Sequence, residues 1–344
     1  MKKSLIIKSG LFIVIILFII SIIVGSCFYI RTYKSNSKTN NFVYIPTGST
    51  FDDVVEVLKK DDLLKDLDSF IWLAKKKNYQ NHVHAGRYMI DSSMNNNDLI
   101  NKLRSGHQDP VKVIFNSVRT REDLAGKISH QIEADSVELI EVFYNDSLIK
   151  SYGLKQETVT CIFLPNTYEF WWNSSAKTFM NKMHKEYKRF WNDKRLRKAE
   201  KLNLTKEDVI TLASIVDEET LYNDEMPKVA GVYINRLRMR MHLQADPTLK
   251  FAIGDFTIKR VLNVHKQIDS PYNTYKRYGL PPGPISIPSI SAIDAVLNYE
   301  SHKYLYFCAK PDFSGYHNFA KTLSQHNVNA RNYQRALNKE RIWR

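Results

Sequence analysis

The sequence predicts an α+β protein: a single N-terminal transmembrane helix, then a small α+β module, then a larger mixed α/β domain. Three observations predict it. Leu11 to Ile30 is an apolar run without a charge. Beyond it, short apolar segments alternate with stretches that carry helix caps and a helical apolar period. And 344 residues with 43% hydrophobic and 12% aromatic content suffice for two cores, which excludes wholesale disorder. Gly 12 and Pro 11 exclude collagen and low-complexity linkers. A mean hydropathy of -0.37 excludes a polytopic membrane protein. Cys27, Cys161 and Cys308 stand apart from any CxxC or Cys/His cluster, so neither a disulfide scaffold nor a zinc site is supported. Lys+Arg 50 against Asp+Glu 36 gives a net charge of +14, which favours polyanions: nucleic acid, anionic lipid or an acidic wall polymer.

Twenty helical residues at about 1.5 Å each match a hydrocarbon core of roughly 30 Å. Residues 11–30 are therefore the expected anchor and 1–10 the expected cytoplasmic N-terminus. Lys2, Lys3 and Lys8 favour that orientation, while Arg31, Lys34 and Lys38 weaken the vote. The alternative is a cleaved signal peptide, but the run is longer than an ordinary apolar signal region and no A-x-A site closes it. Val24-Gly25-Ser26-Cys27 loosely resembles a lipobox, which leaves lipidation of Cys27 open. Each reading puts residues 40–344 outside the cytoplasm. Residues 31–41 (RTYKSNSKTNN) are polar and read as a tether.

A small α+β module is expected over 42–110. Phe42-Val43-Tyr44-Ile45 reads as a strand, and Ser49-Thr50 as the cap of a helix with Val54, Val55, Val57 and Leu58. A second helix runs through Phe70, Ile71, Leu73 and Ala74. Gly86 to Ile90 follows as a strand, and Asn97 is the expected cap of a helix ending at Gly106. No catalytic constellation falls here. The larger domain, 111–344, opens with the strand Val111–Phe115 and a helix led by Thr120-Arg121-Glu122-Asp123.

Residues 174–203 are basic and helical in pattern (Lys177, Lys182, Lys185, Lys188, Arg189) and read as a solvated face or as a track for an anionic polymer or membrane. Tyr168, Phe170, Trp171 and Trp172 just before it read as core or as a ligand platform. The prolines and glycines of 271–288 form a long stiff loop of the kind that shapes clefts.

One helix carries carboxylates of interest. Thr205 caps an expected helix through 207–223, with Val209, Leu212, Ala213 and Val216 as its apolar stripe and Ile210 and Ile215 at the margins. Glu218 falls opposite the stripe. Asp217 and Glu219, about 200° apart, flank it from two sides. A carboxyl beside apolar neighbours is partly desolvated, which raises its pKa towards that of a general acid. Glu219, between Leu212 and Ile215, is the better candidate; a plain charged surface patch is the alternative. Asp246, Asp255, Asp269 or Asp294 would supply a second carboxylate for a two-acid hydrolase. His242, His265, His302, His317 and His326 lack metal spacing, and a cleft role stays open for His317 and His326.

The order of motifs over 204–333 resembles the MltG/YceG-like endolytic murein transglycosylases. The stretches are LASIVDEET (212–220), GVYINRLRMRMHLQADPT (231–248), SPYNTYKRYGLPPGPISIPS (270–289), YLYFCAK (304–310) and HNFAKTLSQHN (317–327), with FLPNTYEF (163–170) upstream. The module around GRYMI and LINKLRSG resembles the family's LysM-like portion. The resemblance implies a LysM-like module over 42–110 and a YceG-like catalytic domain over 111–344. It also implies a single-pass protein of the inner (cytoplasmic) membrane, its catalytic domain on the periplasmic side. The activity it implies cuts nascent peptidoglycan between MurNAc and GlcNAc, leaves 1,6-anhydro-MurNAc ends and terminates strand elongation.

The family's E-x-E-T motif falls on Asp217-Glu218-Glu219-Thr220. Glu219 is then the general acid and base, and Asp217, where the family more often has Glu, the lesser candidate. Asn235, Arg236, Gln244, Asp246, Tyr272, Asn273, Thr274 and Tyr275 fall in shared motifs as substrate-binding candidates, each with a structural role as its alternative. Neither metal nor cofactor is implied. The implied partners are peptidoglycan glycan strands, the membrane through 11–30 and, as candidates, peptidoglycan synthases; no nucleic acid is expected. A non-catalytic wall-binding or division scaffold, and an extracytoplasmic polyanion-binding protein, stay as the other readings.

Overall fold

A computed structural model of the chain describes residues 2–258 and 260–340. Met1 of the N-terminal segment and residues 341–344 at the end of the second expected domain lie outside the described residues. The chain divides into two compact units.

The first unit comprises residues up to Lys112 together with 131–133 and 169–174. Helix α1 (Lys2–Tyr33) carries the apolar run; the most apolar 18 residues of Gly10–Tyr33 have a mean hydropathy of 3.1, and the segment is long enough to cross a membrane. Strand β1 (Asn41–Ile45) pairs antiparallel with β2 (Gly86–Ile90), Asn41 opposite Ile90. Between them lie α2 (Phe51–Lys60) and α3 (Leu67–Lys76), and α4 (Asn96–Ser105) follows β2. Alternate strand residues Val43, Ile45, Tyr88 and Ile90 point to one face. They bury there with Val54 and Leu58 of α2, Phe70 and Leu73 of α3, and Leu99 and Leu103 of α4. Thr50 caps α2 through a reciprocal box with Asp53.

Two local expectations shift. The cap of α4 is Asn95, whose side chain accepts from the Asp98 N–H, and not Asn97. All three residues of Asn95-Asn96-Asn97 are able caps, so the register is set elsewhere. Asn96 is drawn into the interior, where its amide meets the carbonyl of Arg31, the Ser69 hydroxyl and the side chain of Asn36. The segment 31–41 is likewise no free tether. Arg31 to Tyr33 are helical, and Ser35 and Ser37 form bridges to Asn95 and Leu64. Asn36 is buried, with its side chain bonded to both the N–H and the carbonyl of Asp66. Polarity here serves satisfied buried hydrogen bonds and not solvation. A fragment starting at residue 40 discards these bonds, whereas one starting at 31 keeps them. The shorter fragment is expected to be less stable by about 2–4 kcal/mol, at roughly 1 kcal/mol per bond. Equal melting temperatures in scanning calorimetry would count against the account.

Within the same unit Trp172 stacks edge-on against Tyr44 at 5.1 Å, and Glu133 accepts from the N–H and hydroxyl of Thr47 at 2.5 and 2.6 Å. Tyr168 and Phe170 are core residues, while Trp171 is exposed.

The second unit holds most of the remaining chain. Strands β3 (Val111–Phe115) and β4 (Asn166–Phe170) form a two-stranded sheet. Helices α5 (Arg121–Ser129), α6 (Ser136–Phe143) and α7 (Asp146–Ser151) lie between them in sequence. The basic stretch forms α8 (Ala176–Phe190) and α9 (Asp193–Lys201), with Phe179, Met183 and Tyr187 buried beneath the charged face. The core is built on α10 (Lys206–Glu219), α11 (Met226–Arg238), α12 (Asp246–Ile253) and α13 (Ile290–Leu297). A hairpin of β5 (Tyr306–Ala309) and β6 (His317–Ala320) and helix α14 (Leu323–Lys339) complete it.

Helix α10 is buried on all sides from Val209 to Val216, broader than the single stripe its pattern predicts. Thr211 and Ser214 tolerate this because the Ser214 hydroxyl donates to the Thr211 carbonyl and accepts from the Ile285 N–H. Thr205 starts the helix in a capping box with Asp208. The helix stops at Glu219, four residues before the expected end, because Thr220 turns extended.

Candidate active site

Glu219 sits at the last position of α10, where a rigid, fully buried helix delivers it to an open edge. Thr220 fixes that ending. Its N–H still bonds the Val216 carbonyl, and its hydroxyl donates to Glu225 at 3.0 Å. Glu225, itself buried, also accepts from the N–H and Nδ1 of His317, both at 2.8 Å. One carboxylate thus ties the end of α10, the start of α11 and strand β6.

Glu219 is half-buried and lines a cavity of about 340 Å³. Burial lifts its carboxyl from the ordinary 4.5 to about 7; the neighbouring Asp246 charge adds to the lift, and the Tyr233 hydrogen bond, Lys250 and Arg236 oppose it. The Tyr233 hydroxyl donates to Oε1 at 2.6 Å. Burial holds the Tyr233 phenol protonated far above neutrality, so it stays a donor. Oε2 is left free for a proton that can be handed to a ligand. A carboxyl poised near neutrality, oriented by one donor and open on the other oxygen, is the equipment of a general acid that later acts as a base.

Four of the eight expected binding residues share this cavity: Arg236, Gln244, Asp246 and Tyr275. The Tyr275 hydroxyl donates to Asp246 Oδ1 at 2.5 Å, so a second, oriented carboxylate faces the same space. Of the other acids considered, Asp255 caps its own turn, Asp269 pairs with Arg277 and Asp294 with Arg195. Arg236 is buried and gives hydrogen bonds to the carbonyls of Leu305 (2.6 Å) and Leu243 (2.7 Å), which fixes two walls. Gln244 takes a left-handed φ of 52° at the entry to α12.

The other four are placed differently. Asn235 reaches the carbonyls of His302 and Tyr304. Asn273 is buried and bonds the carbonyls of Lys266 and Ile268. Thr274 is buried against Ala245 and Thr248. These three hold the loops that carry the site. Tyr272 lines another cavity, its ring tilted against that of Phe251 with centroids 4.7 Å apart. Asp217 is engaged elsewhere: it accepts from the N–H (3.1 Å) and hydroxyl (2.6 Å) of Ser289, the cap of α13, and from Ser117. Glu218 is exposed, as its wheel position requires, and pairs with Arg119.

Tyr233, Leu243, Tyr306, Phe307 and Leu323 belong to the site and were not singled out from sequence. A signal existed for Tyr233, which lies three residues before Arg236 and so on the same face of α11. Tyr306 and Phe307 fall in the motif YLYFCAK, but strand alternation, which ordinarily turns adjacent residues to opposite faces, gives no sign that both face the cavity. His326, one of the two histidines left open, lines the cavity against Tyr306 at 5.4 Å, and burial keeps its imidazole below the ordinary value. Among the described residues no cluster of His, Cys, Asp and Glu has the arrangement of a metal site.

A family profile described as the YceG-like family matches residues 43–332, well over half of the chain. An endolytic murein transglycosylase of Bacillus subtilis is 30% identical over 93% of this chain and 93% of its own length. One from Streptococcus pneumoniae is 27% identical over 80% of this chain, which spans 55% of that longer relative. A solved structure of a yceG-like protein from Listeria monocytogenes is 29% identical, covers 85% of this chain and 99% of its own, and superposes with a TM-score of 0.54.

Proposed function

The chain belongs to the YceG-like family, and from that premise we propose that it is a membrane-anchored lytic transglycosylase that cuts peptidoglycan glycan strands internally, with Glu219 as acid and base. The observation that carries the reading is the Glu219 carboxyl, shielded to about 7, held by Tyr233 and open to a cavity.

Protonated Oε2 gives its proton to the oxygen joining MurNAc C1 to the GlcNAc leaving group, and that C1–O bond breaks. The carboxylate so formed removes the proton of the MurNAc C6 hydroxyl, whose oxygen closes on C1 as the 1,6-anhydro ring. The proton returns to Glu219, no water is consumed, and one carboxyl suffices. The second carboxylate favours one rival outcome. A water activated by Asp246 would give hydrolysis and a reducing end. Mass spectrometry of fragments released from purified peptidoglycan by the full chain in detergent separates the two. Anhydro ends support the proposal, reducing ends place Asp246 in the chemistry, and no release favours a wall-binding scaffold.

The apolar helix supports anchoring in a membrane; we take this to be the cytoplasmic membrane, with residues 40–344 outside the cytoplasm. Residues 42–110, read as a LysM-like module, would hold the glycan, and cutting nascent strands beside peptidoglycan synthases would end their elongation. Tyr233→Phe removes a hydrogen bond that favours the ionised form of Glu219. The alkaline limb of the pH–rate profile, set by loss of the acid above about 7, is expected to move upward by about one unit. An unmoved limb would remove Tyr233 from the role.

A further inference from the structure

The second unit has another cavity, of about 350 Å³, which the Glu219 chemistry leaves unused. The two cavities share walls. Helix α12 gives Asp246 to one and Phe251 to the other, and the segment 272–275 gives Tyr275 to one and Tyr272 to the other. Three residues of chain span at most about 11 Å, so a ligand seated at Glu219 can extend a branch this far.

The chemistry of the second cavity is that of a small charged ligand. Arg121 lies flat over the Tyr144 ring, 3.6 Å from its centre, and spends one nitrogen on the Phe143 carbonyl and Gln156. It makes no ion pair among the described residues, although its charge acts on the Glu122 carboxyl of the same lining, and its remaining donors suit a further carboxylate. Glu157, exposed on the same lining, makes no ion pair either and suits an ammonium group. Ser286 and Thr160 line the cavity, and their buried hydroxyl oxygens have no hydrogen-bond partner among the described residues; Ser286 is only 4% exposed. A buried hydroxyl without a partner marks a place where a ligand group is wanted. Phe251 and Tyr272 supply an aromatic wall for an aliphatic stem.

We propose that this cavity binds a short peptide carrying both a carboxylate and an ammonium group, the peptide branch of the glycan polymer. The proposal rests on the peptidoglycan reading for the identity of its ligand. A neutral sugar has no use for an opposed acid and base, which is why the peptide and not a further sugar is assigned here.

The test uses the full chain in detergent and two measurements. Calorimetric titration with the tripeptide L-Ala-γ-D-Glu-L-Lys is expected to show binding that Glu157→Gln weakens about tenfold, the scale of one charge-assisted hydrogen bond. Cleavage of peptide-bearing strands is expected to exceed that of amidase-stripped strands about tenfold in kcat/KM, and Glu157→Gln is expected to narrow that ratio. Tyr272→Ala, which removes the aromatic wall, is expected to weaken the tripeptide as well. A tripeptide that fails to bind, or that binds all three proteins equally, overturns the proposal, as does a stripped disaccharide that competes for the same site. Loss of cleavage on both kinds of strand, with tripeptide binding intact, overturns the transglycosylase reading and leaves the peptide site standing.

Discussion

Glu219→Gln is expected to lower glycan cleavage by about a thousandfold while preserving the fold, within the range that a positioned acid–base group contributes. Glutamine matches the carboxyl in shape and keeps an oxygen for the Tyr233 hydroxyl, but has no proton to give. A second signature separates loss of chemistry from damage. The folded carboxyl titrates near 7 and the unfolded one near 4.5, so the folded state holds its proton longer. The stability this contributes is full below pH 4.5 and is lost as pH rises through 7. Glutamine has no such loss. The two proteins should melt alike at pH 4, and the variant should be the more stable at pH 8, by about 3 kcal/mol at most. Asp217→Asn is the contrast. It disturbs the bonds to Ser289 and Ser117 and is expected to lower the melting temperature while cutting activity less than tenfold. Full activity in Glu219→Gln would end the assignment, and a melting difference that ignores pH would end the account of why Glu219 is an acid.

What the sequence disclosed and what it hid divide along physical lines. Strands, caps and the long apolar helix follow from local periodicity, and Thr50, Thr120 and Thr205 cap the helices they announce. Helix geometry sets Glu219 between Leu212 and Ile215 but leaves a charged surface patch open, and the resemblance of Asp217-Glu218-Glu219-Thr220 to E-x-E-T is what singled it out. The pairing with Tyr233 was not legible: Tyr233 shares a face of α11 with Arg236, but it arrives from another helix and only packing brings it within 2.6 Å of Glu219. The motif residues split for the same reason. Asn273 and Tyr275 are neighbours in one motif, yet one closes a loop and the other faces the cavity, and loop conformation decides which. The tether misled because polar composition describes solvated chain and buried hydrogen-bonded chain equally well. Asn36 belongs to the second kind only because Asp66 and Asn96 meet it from distant parts of the sequence.

Gly231→Ala is expected to damage the packing that holds the site. Helix α11 presses against the segment 300–304 at this glycine, and an added Cβ would lie 2.4 Å from the Glu300 carbonyl oxygen and 2.6 Å from His302 Nε2. Neither can retreat cheaply. The Glu300 N–H donates to the Pro227 carbonyl, His302 Nε2 meets the Lys228 carbonyl, and Asn235 holds the carbonyls of His302 and Tyr304. Separating the two elements would stretch these bonds together, at a cost of about 3 kcal/mol. The same shift would move Tyr233, two residues along α11, and the strand that brings Tyr306 and Phe307 to the cavity. Misplacement of about 1 Å at such a site costs on the order of a hundredfold in rate. Gly126→Ala in α5 is the matched control. Its Cβ would meet nothing within 4 Å, and alanine in a helix interior is favoured by about 0.5–1 kcal/mol. The two substitutions add the same atom to helical glycines and should shift the melting temperature in opposite directions. If both shift it alike, the close approach of α11 to residues 300–302 does not govern the site, and the hydrogen bonds of Asn235 would have to carry that role alone.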